Sequence, residues 1–153
     1  MNILFLTVTR IEEINCRGIY TDLLRHFIKE GHHVFVVSPT ERRFGKQTHL
    51  IAKEDHTILK IRTLNIQKTN FVEKGIGTIL LAYQFRKGIL KYYKDIHFDL
   101  ILYSTPPITF TSVISYIKKR DNAKTYLLLK DIFPQNAVDL GMFSKKGLLY
   151  TYF

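Results

Sequence analysis

A chain of 153 residues and 18.0 kDa is long enough for one well-cored domain and short for two, because folded chains of this size bury roughly 70% of the surface they expose when unfolded. Lys and Arg number 23 against 13 Asp and Glu, a formal net charge of +10 with histidines neutral, so phosphate-bearing or membrane-surface partners are expected rather than cationic ones. A hydrophobic content of 46% with 13% aromatics excludes an intrinsically disordered chain, and the lone Cys16 excludes an internal disulfide framework and fits a reducing compartment.

Residues 2–8 form a short apolar run with β-branched members, predicted as a buried strand that Thr9-Arg10 ends. That run lacks a basic leader and is too short for a signal peptide, so a cytoplasmic location is expected. Gly18 opens a helical pattern in which Ile19, Leu23, Leu24, Phe27 and Ile28 share one stripe, and Glu30-Gly31 closes it with the glycine expected just past a helix end. Residues 33–37 read as a second strand, ended by Ser38-Pro39. Residues 49–52 and 57–63 read as two short extended segments.

The longest helical pattern covers residues 75–96. Gln84, Lys87, Lys91 and Lys94 make a polar stripe, Ile76, Ile79, Leu80, Tyr83 and Leu90 an expected inner stripe, and Leu81, Phe85 and Tyr92 a second apolar one. Two apolar stripes fit either a crowded interior or a basic amphipathic surface that touches lipid headgroups. Residues 100–117 carry no charge for eighteen positions, near the length of a membrane helix, but Pro106-Pro107 and six Ser or Thr would break it. A strand over 100–103, a turn and a helix over 109–119 are predicted instead, then a strand over 125–129.

This alternation is that of an α/β, Rossmann-like, doubly wound, mostly parallel sheet with helices on both faces. Right-handed crossovers put the strands' C-terminal ends on one edge, where ligands bind in such sheets. That edge comprises residues 9–17, 38–47, 63–74, 104–107 and 130–136, and it carries Arg10, Arg17, Arg42, Arg43, Lys46, Lys68, Lys74 and Lys130.

The sequence has no G-x-G-x-x-G, no G-x-x-x-x-G-K-[ST] and no G-x-S-x-G, so NAD binding in the ordinary mode, a P-loop and an esterase elbow are not expected. A receiver domain would need an aspartate ending the third strand, where Arg62-Thr63-Leu64-Asn65 stands. The histidines are scattered, and adjacent His32 and His33 on a strand would face opposite ways, so no metal site is expected.

Three stretches together resemble the N-terminal, acceptor-side domain of bacterial family 4 glycosyltransferases of the GT-B fold, the type that builds capsule and O-antigen polysaccharides. The first is Asn2-Ile3-Leu4-Phe5-Leu6, then Gly18, Leu23-Leu24, Phe27 and Gly31-His32-x-Val34-x-Val36-Val37-Ser38-Pro39. The second is Phe98-Asp99-Leu100-Ile101-Leu102-Tyr103-Ser104-Thr105-Pro106-Pro107. The third and most specific is Leu129-Lys130-Asp131-Ile132-Phe133-Pro134-Gln135-Asn136-Ala137-Val138. The resemblance covers nearly the whole chain but only the first of two domains. The E-x7-E element and the basic residues of the second domain, which hold most of the donor, are absent here. The chain ends on Tyr150-Thr151-Tyr152-Phe153, aromatic and uncapped. The expectation is a Rossmann-like domain over residues 1–145, with 146–153 starting a helix or linker toward a missing donor-binding domain.

The resemblance implies a retaining transferase with no protein nucleophile in this domain, whose task is placement of the reacting groups. Gly18, with Arg17 before it, would present helix N–H groups to a donor phosphate. Asp131 would orient the acceptor hydroxyl, with Gln135 and Lys130 beside it and Thr105 shaping the cleft. Arg42, Arg43 and Lys68, with Lys46 and Lys74, are candidates for a lipid-linked pyrophosphate acceptor. No cofactor or metal is expected. Partners are a nucleotide-sugar donor, held mainly by the missing domain, a lipid-linked saccharide acceptor and an anionic membrane surface on the inner face of the cell membrane, with no nucleic acid. Two alternatives stay open: a non-catalytic Rossmann-like module that binds anions or nucleotides, and one subunit of a split glycosyltransferase.

Overall fold

The computed structural model describes residues 1–66, 69–104, 110–129, 138, 139, 141 and 144, apart from the side chains of residues 71, 72, 74 and 75. Strands β1 (Asn2–Leu6), β2 (His33–Glu41), β3 (His49–Ala52), β4 (His56–Thr63), β5 (Leu100–Ser104) and β6 (Lys124–Leu128) form one sheet in the order β3-β4-β2-β1-β5-β6. All neighbours are parallel except the β3–β4 hairpin. Helices α1 (Ile19–Lys29), α2 (Phe71–Tyr92) and α3 (Thr111–Asp121) are the crossovers.

Successive strand residues face opposite ways, so the apolar runs feed two cores. Ile3, Phe5, Val34, Val36, Ile58 and Leu102 pack with Leu24 of α1 on one face. Leu4, Leu6, Phe35, Val37, Leu59 and Ile101 pack under α2 and α3 on the other. Each such side chain stabilises the fold by about 1.5–3 kcal/mol through apolar burial.

The end of α1 follows its sequence. Gly31, at φ 79°, lets its N–H donate to the Ile28 carbonyl at 2.9 Å and that of His32 to the Phe27 carbonyl at 3.0 Å, the glycine-dependent helix stop. β2 differs from expectation: it runs on through Pro39 to Glu41. The Val37 carbonyl accepts from Thr7 on the β1 side. Pro39, two residues on, therefore turns its missing N–H toward the side that β1 has already left.

α2 begins at Phe71 rather than near Gly75, because the Asn70 side chain caps it by accepting from the Glu73 N–H at 2.7 Å. Lys74 thus belongs to the helix, not to the loop before it. The stripes of α2 are also the reverse of the expected ones. Leu81, Phe85 and Ile89 are fully buried, whereas Ile79 and Tyr83 are 78% and 64% exposed, with Ile76 and Leu80 also at the surface. Phe85 stacks at 4.9 Å on Phe110 beside α3. Residues 100–104 form β5 and residues 111–117 the start of α3, and among the described residues no helix is long and apolar enough to cross a membrane.

Candidate functional site

In a doubly wound sheet, the loops leaving two adjacent strands diverge where strand addition reverses, which opens a crevice beyond their C-terminal ends. Here β1 lies between β2 and β5, so the crevice belongs to the loops after β1 and β5. The buried hydroxyls of Thr7 and Ser104 stand 3.5 Å apart at its base, and Thr7 Oγ1 accepts from the Thr9 N–H at 3.0 Å. Thr105, which follows β5, lies outside the described residues, as do Lys68, Lys130, Asp131 and Gln135.

A buried cation holds the loop between β1 and α1. Lys60 of β4 is fully buried, and its Nζ donates to the Ile11 carbonyl at 2.7 Å and to Ser38 Oγ, its neighbour on β2, at 3.0 Å. Glu12 Oε1 lies 2.9 Å from the same Nζ. Burial pushes the Lys60 ammonium down from its ordinary pKa, against the pull of Glu12.

Glu12 also accepts from Arg10 Nε at 2.6 Å and stands 3.6 Å from Lys46 Nζ. Partial burial pushes its carboxyl up, but the hydrogen bonds and charges of Arg10 and Lys60 outweigh that and hold it at about 2. Arg10 stacks on the Phe44 ring at 3.9 Å.

Two more cations of this edge meet carboxylates. Arg42 pairs with Glu73 of α2 at 3.1 Å. Arg43 pairs with Glu41, whose Oε1 accepts from the Ile66 N–H at 3.2 Å. Glu73 also accepts from Thr69 at 2.6 Å and from the Asn65 amide at 3.0 Å. The Thr69 hydrogen bond leads the influences that lower its pKa. Arg42, Arg43 and Lys46 are therefore charge-compensated within the fold.

Arg17 and Gly18 line an open cavity of about 430 Å³ together with Thr9, Arg10, Glu13 and Tyr20. Arg17 is exposed, and no described carboxylate pairs with it. Gly18 caps α1: its N–H donates to Asp22 Oδ1 at 3.2 Å, and its carbonyl accepts from the Asp22 N–H at 2.7 Å and from Thr21 Oγ1 at 3.0 Å. Arg25 pairs with Asp22 and donates to the Ile14 and Cys16 carbonyls at 2.6 and 2.9 Å, which fixes the loop's approach to the helix. A Cβ at Gly18 would meet Thr21 Oγ1 at 3.1 Å, so even Ala is tight there. Among the described residues, no group of His, Cys, Asp and Glu could hold a metal ion.

Sequence reasoning singled out the cations of this edge and missed their counter-charges, Glu12, Glu41 and Glu73, together with Lys60. The available signal for Lys60 was one lysine at an inward position of the otherwise apolar run Ile58-Leu59-Lys60-Ile61. No local pattern pairs Glu12 with a residue 48 positions later.

No family profile matches the sequence, and no curated protein matches it. Solved structures do match. The OtsA apo structure superposes with a TM-score of 0.57 and 14% identity over 88% of this chain and 34% of that one. A structure described as trehalose-6-phosphate from E. coli bound with UDP-2-fluoro glucose gives 0.54 and 11% over 82% and 32%. The fold is Rossmann-like, of the kind found in GT-B glycosyltransferases. The chain spans about a third of the length of the solved chains that it matches.

Proposed function

We propose that this chain is the N-terminal, acceptor-binding half of a retaining glycosyltransferase. In this reading the complete enzyme moves a sugar from a nucleotide-sugar donor to a lipid-linked or saccharide acceptor in cell-surface polysaccharide synthesis. The observation that carries the reading is the open cavity at Arg17 and Gly18, formed by the loop that leaves β1 for α1, in a fold shared with a protein bound to a nucleotide-sugar analogue.

The work of such a half is placement. Arg17 supplies a cation with which no described carboxylate pairs and the N–H groups that follow Gly18 in α1 serve a diphosphate, while Asp131 orients the acceptor hydroxyl and Gln135, Lys130 and Thr105 flank it. Asp22, held by Arg25 and the Gly18 N–H, lies one turn into α1 and favours binding at Arg17 over deeper entry. Ile76, Ile79, Leu80 and Tyr83 are exposed on one helix that also carries Arg86, Lys87 and Lys91. That combination supports contact with the inner face of an anionic membrane, where a lipid-linked acceptor resides.

The test is nuclear magnetic resonance of the ¹⁵N-labelled chain titrated with UDP-glucose and with a prenyl-diphosphate-linked saccharide in micelles. The linked saccharide should move the amides of Arg17, Gly18 and Tyr20, and Arg17→Glu should abolish that response. Silence toward both ligands, combined with salt-sensitive retention of oligonucleotides on filters, would replace this reading with a non-catalytic anion-binding module.

A further inference from the structure

Among the described side chains, Arg10, Arg42, Arg43 and Lys46 of the strand-end edge are neutralised by carboxylates, and unpaired cations gather elsewhere. Between the β3–β4 hairpin and α2 lies a groove of about 360 Å³ lined by Arg62, Lys87 and Lys91, with Gln47, Thr48 and Gln84. No acidic side chain lines it, and no described carboxylate pairs with any of the three cations. The groove shares no lining residue with the cavity at Arg17.

The groove is built by close packing and local hydrogen bonds. A Cβ at Gly88 would come 2.1 Å from Ile61 Cδ1, so any larger residue there forces the Ile61 side chain to shift, and glycine lets α2 ride close to β4 with Lys87 and Lys91 at the cavity that Arg62 enters. Arg62 Nη1 donates to Gln47 Oε1 at 3.1 Å, and the Arg62 N–H donates to Thr48 Oγ1 at 2.9 Å. Tyr92 OH donates to the Thr48 carbonyl at 3.4 Å, which ties the hairpin to the helix.

A second, independent feature is Gln84 Oε1, which is buried and finds no hydrogen-bond partner among the described residues. Buried acceptors are nearly always satisfied, and because Gln84 lines the groove, a small side-chain shift opens this one to a ligand donor. Three like charges around one groove repel each other, and an anion relieves that repulsion. Arg62 offers a planar fork and the two lysines point charges, a set that matches phosphate oxygens.

We propose that this groove binds a phosphate ester carrying a neighbouring hydroxyl. The phosphate sits among Arg62, Lys87 and Lys91, and the hydroxyl donates to Gln84 Oε1. The ester comes either from a soluble phosphorylated polyol or from the headgroup of an anionic lipid.

The experiment titrates the ¹⁵N-labelled full chain with inorganic phosphate, glycerol 1-phosphate and glycerol. In parallel, the chain is sedimented with phosphatidylglycerol or phosphatidylcholine vesicles at ~150 mM salt, where long-range surface attraction is screened. Glycerol 1-phosphate should move the amides of Arg62, Gln84, Lys87 and Lys91, bind more tightly than inorganic phosphate and raise the Tm, while glycerol does nothing. Lys87→Gln with Lys91→Gln should weaken binding about tenfold, the loss of two charge-assisted contacts. Lys118→Gln with Lys119→Gln on α3, the same change in net charge, should not. Gln84→Leu should bring glycerol 1-phosphate down to the level of inorganic phosphate.

Vesicle retention that Gln84→Leu lowers as well as Lys87→Gln with Lys91→Gln, without binding of glycerol 1-phosphate, assigns the lipid source. Retention that only the lysine variant lowers belongs to the helix surface and overturns the groove as a lipid site, and binding of glycerol 1-phosphate without vesicle retention assigns the soluble source. Shifts confined to Arg17 and Gly18, or equal affinity of the groove variant and the parent for every probe, overturn the proposal. Because the groove variants leave the Arg17 cavity intact, failure here is distinguishable from failure of the transferase reading.

Discussion

The loop after β1 and the groove beside β4 each gather three cations, yet they are built in opposite ways. Arg10, Lys46 and Lys60 converge on one carboxylate, Glu12, and Lys60 is fully buried in doing so. Arg62, Lys87 and Lys91 converge on open space with no carboxylate among them. The first cluster is a structural clasp that shapes the cavity at Arg17. The second has no counter-charge among the described residues. A net charge of +10 therefore does not say where an anion binds; that depends on which cations already have partners, because a compensated cation has little attraction left for a further anion.

The comparison breaks most sharply at Lys60. Lys60→Ala takes the Nζ donor from the buried Ser38 hydroxyl and leaves the Ile11 carbonyl only its 3.3 Å bond from Ser38 Oγ, and it should destabilise the fold by about 3 kcal/mol in chemical denaturation. A loss below about 1 kcal/mol would show that the clasp is not structural. Glu12→Gln comes next. It should cost about 1–2 kcal/mol by removing the counter-charge of a buried lysine, and it should make the loop's amides responsive to inorganic phosphate by freeing Arg10 and Lys46. An unchanged phosphate response would erase the distinction between the two clusters.

Acid probes the same carboxylate more gently. Glu12 has its folded pKa depressed from 4.5 to about 2. Its stabilisation is therefore complete above about pH 4.5 and is lost as pH falls through about 2. Solvent screening at this partly exposed group keeps the contribution to about 1 kcal/mol. Denaturation of Glu12→Gln beside the parent between pH 6 and 2 should show the two curves converging at the acid end. The smallest effect belongs to α2's outer face. Ile79→Ser should change stability by less than about 0.5 kcal/mol, since Ile79 is 78% exposed, yet lower retention on phosphatidylglycerol vesicles. A stability loss comparable with that of a buried residue would mean that this face is covered.

Much of the architecture was legible before any coordinates. The buried strands announced themselves as apolar runs, and Gly31 marked the end of α1 through the one backbone conformation in which it alone is unstrained. Where reading failed, the reason was tertiary. Pro39 stops a strand only if its bare nitrogen faces a neighbour, and β1 ends before it can. The faces of α2 were inverted because Ile76, Ile79, Leu80 and Tyr83 are as apolar as Leu81, Phe85 and Ile89, and periodicity cannot choose between two apolar stripes. Packing chose: Leu81, Phe85 and Ile89 join the core between the sheet and α3, with Gly88 close against Ile61. The site was legible as a set of cations on one edge, but not as a set of pairs.

Sequence alone thus determined the class of fold, the order of its elements and the edge that the strands' C-terminal ends share, because these follow from local hydrophobic period and from the handedness of crossovers. Tertiary structure alone decided which cations are neutralised and which remain open. Glu12 meets Lys60, and Glu73 meets Arg42, across 48 and 31 positions of chain. Coulomb energy depends on distance in space, which a linear spacing does not encode.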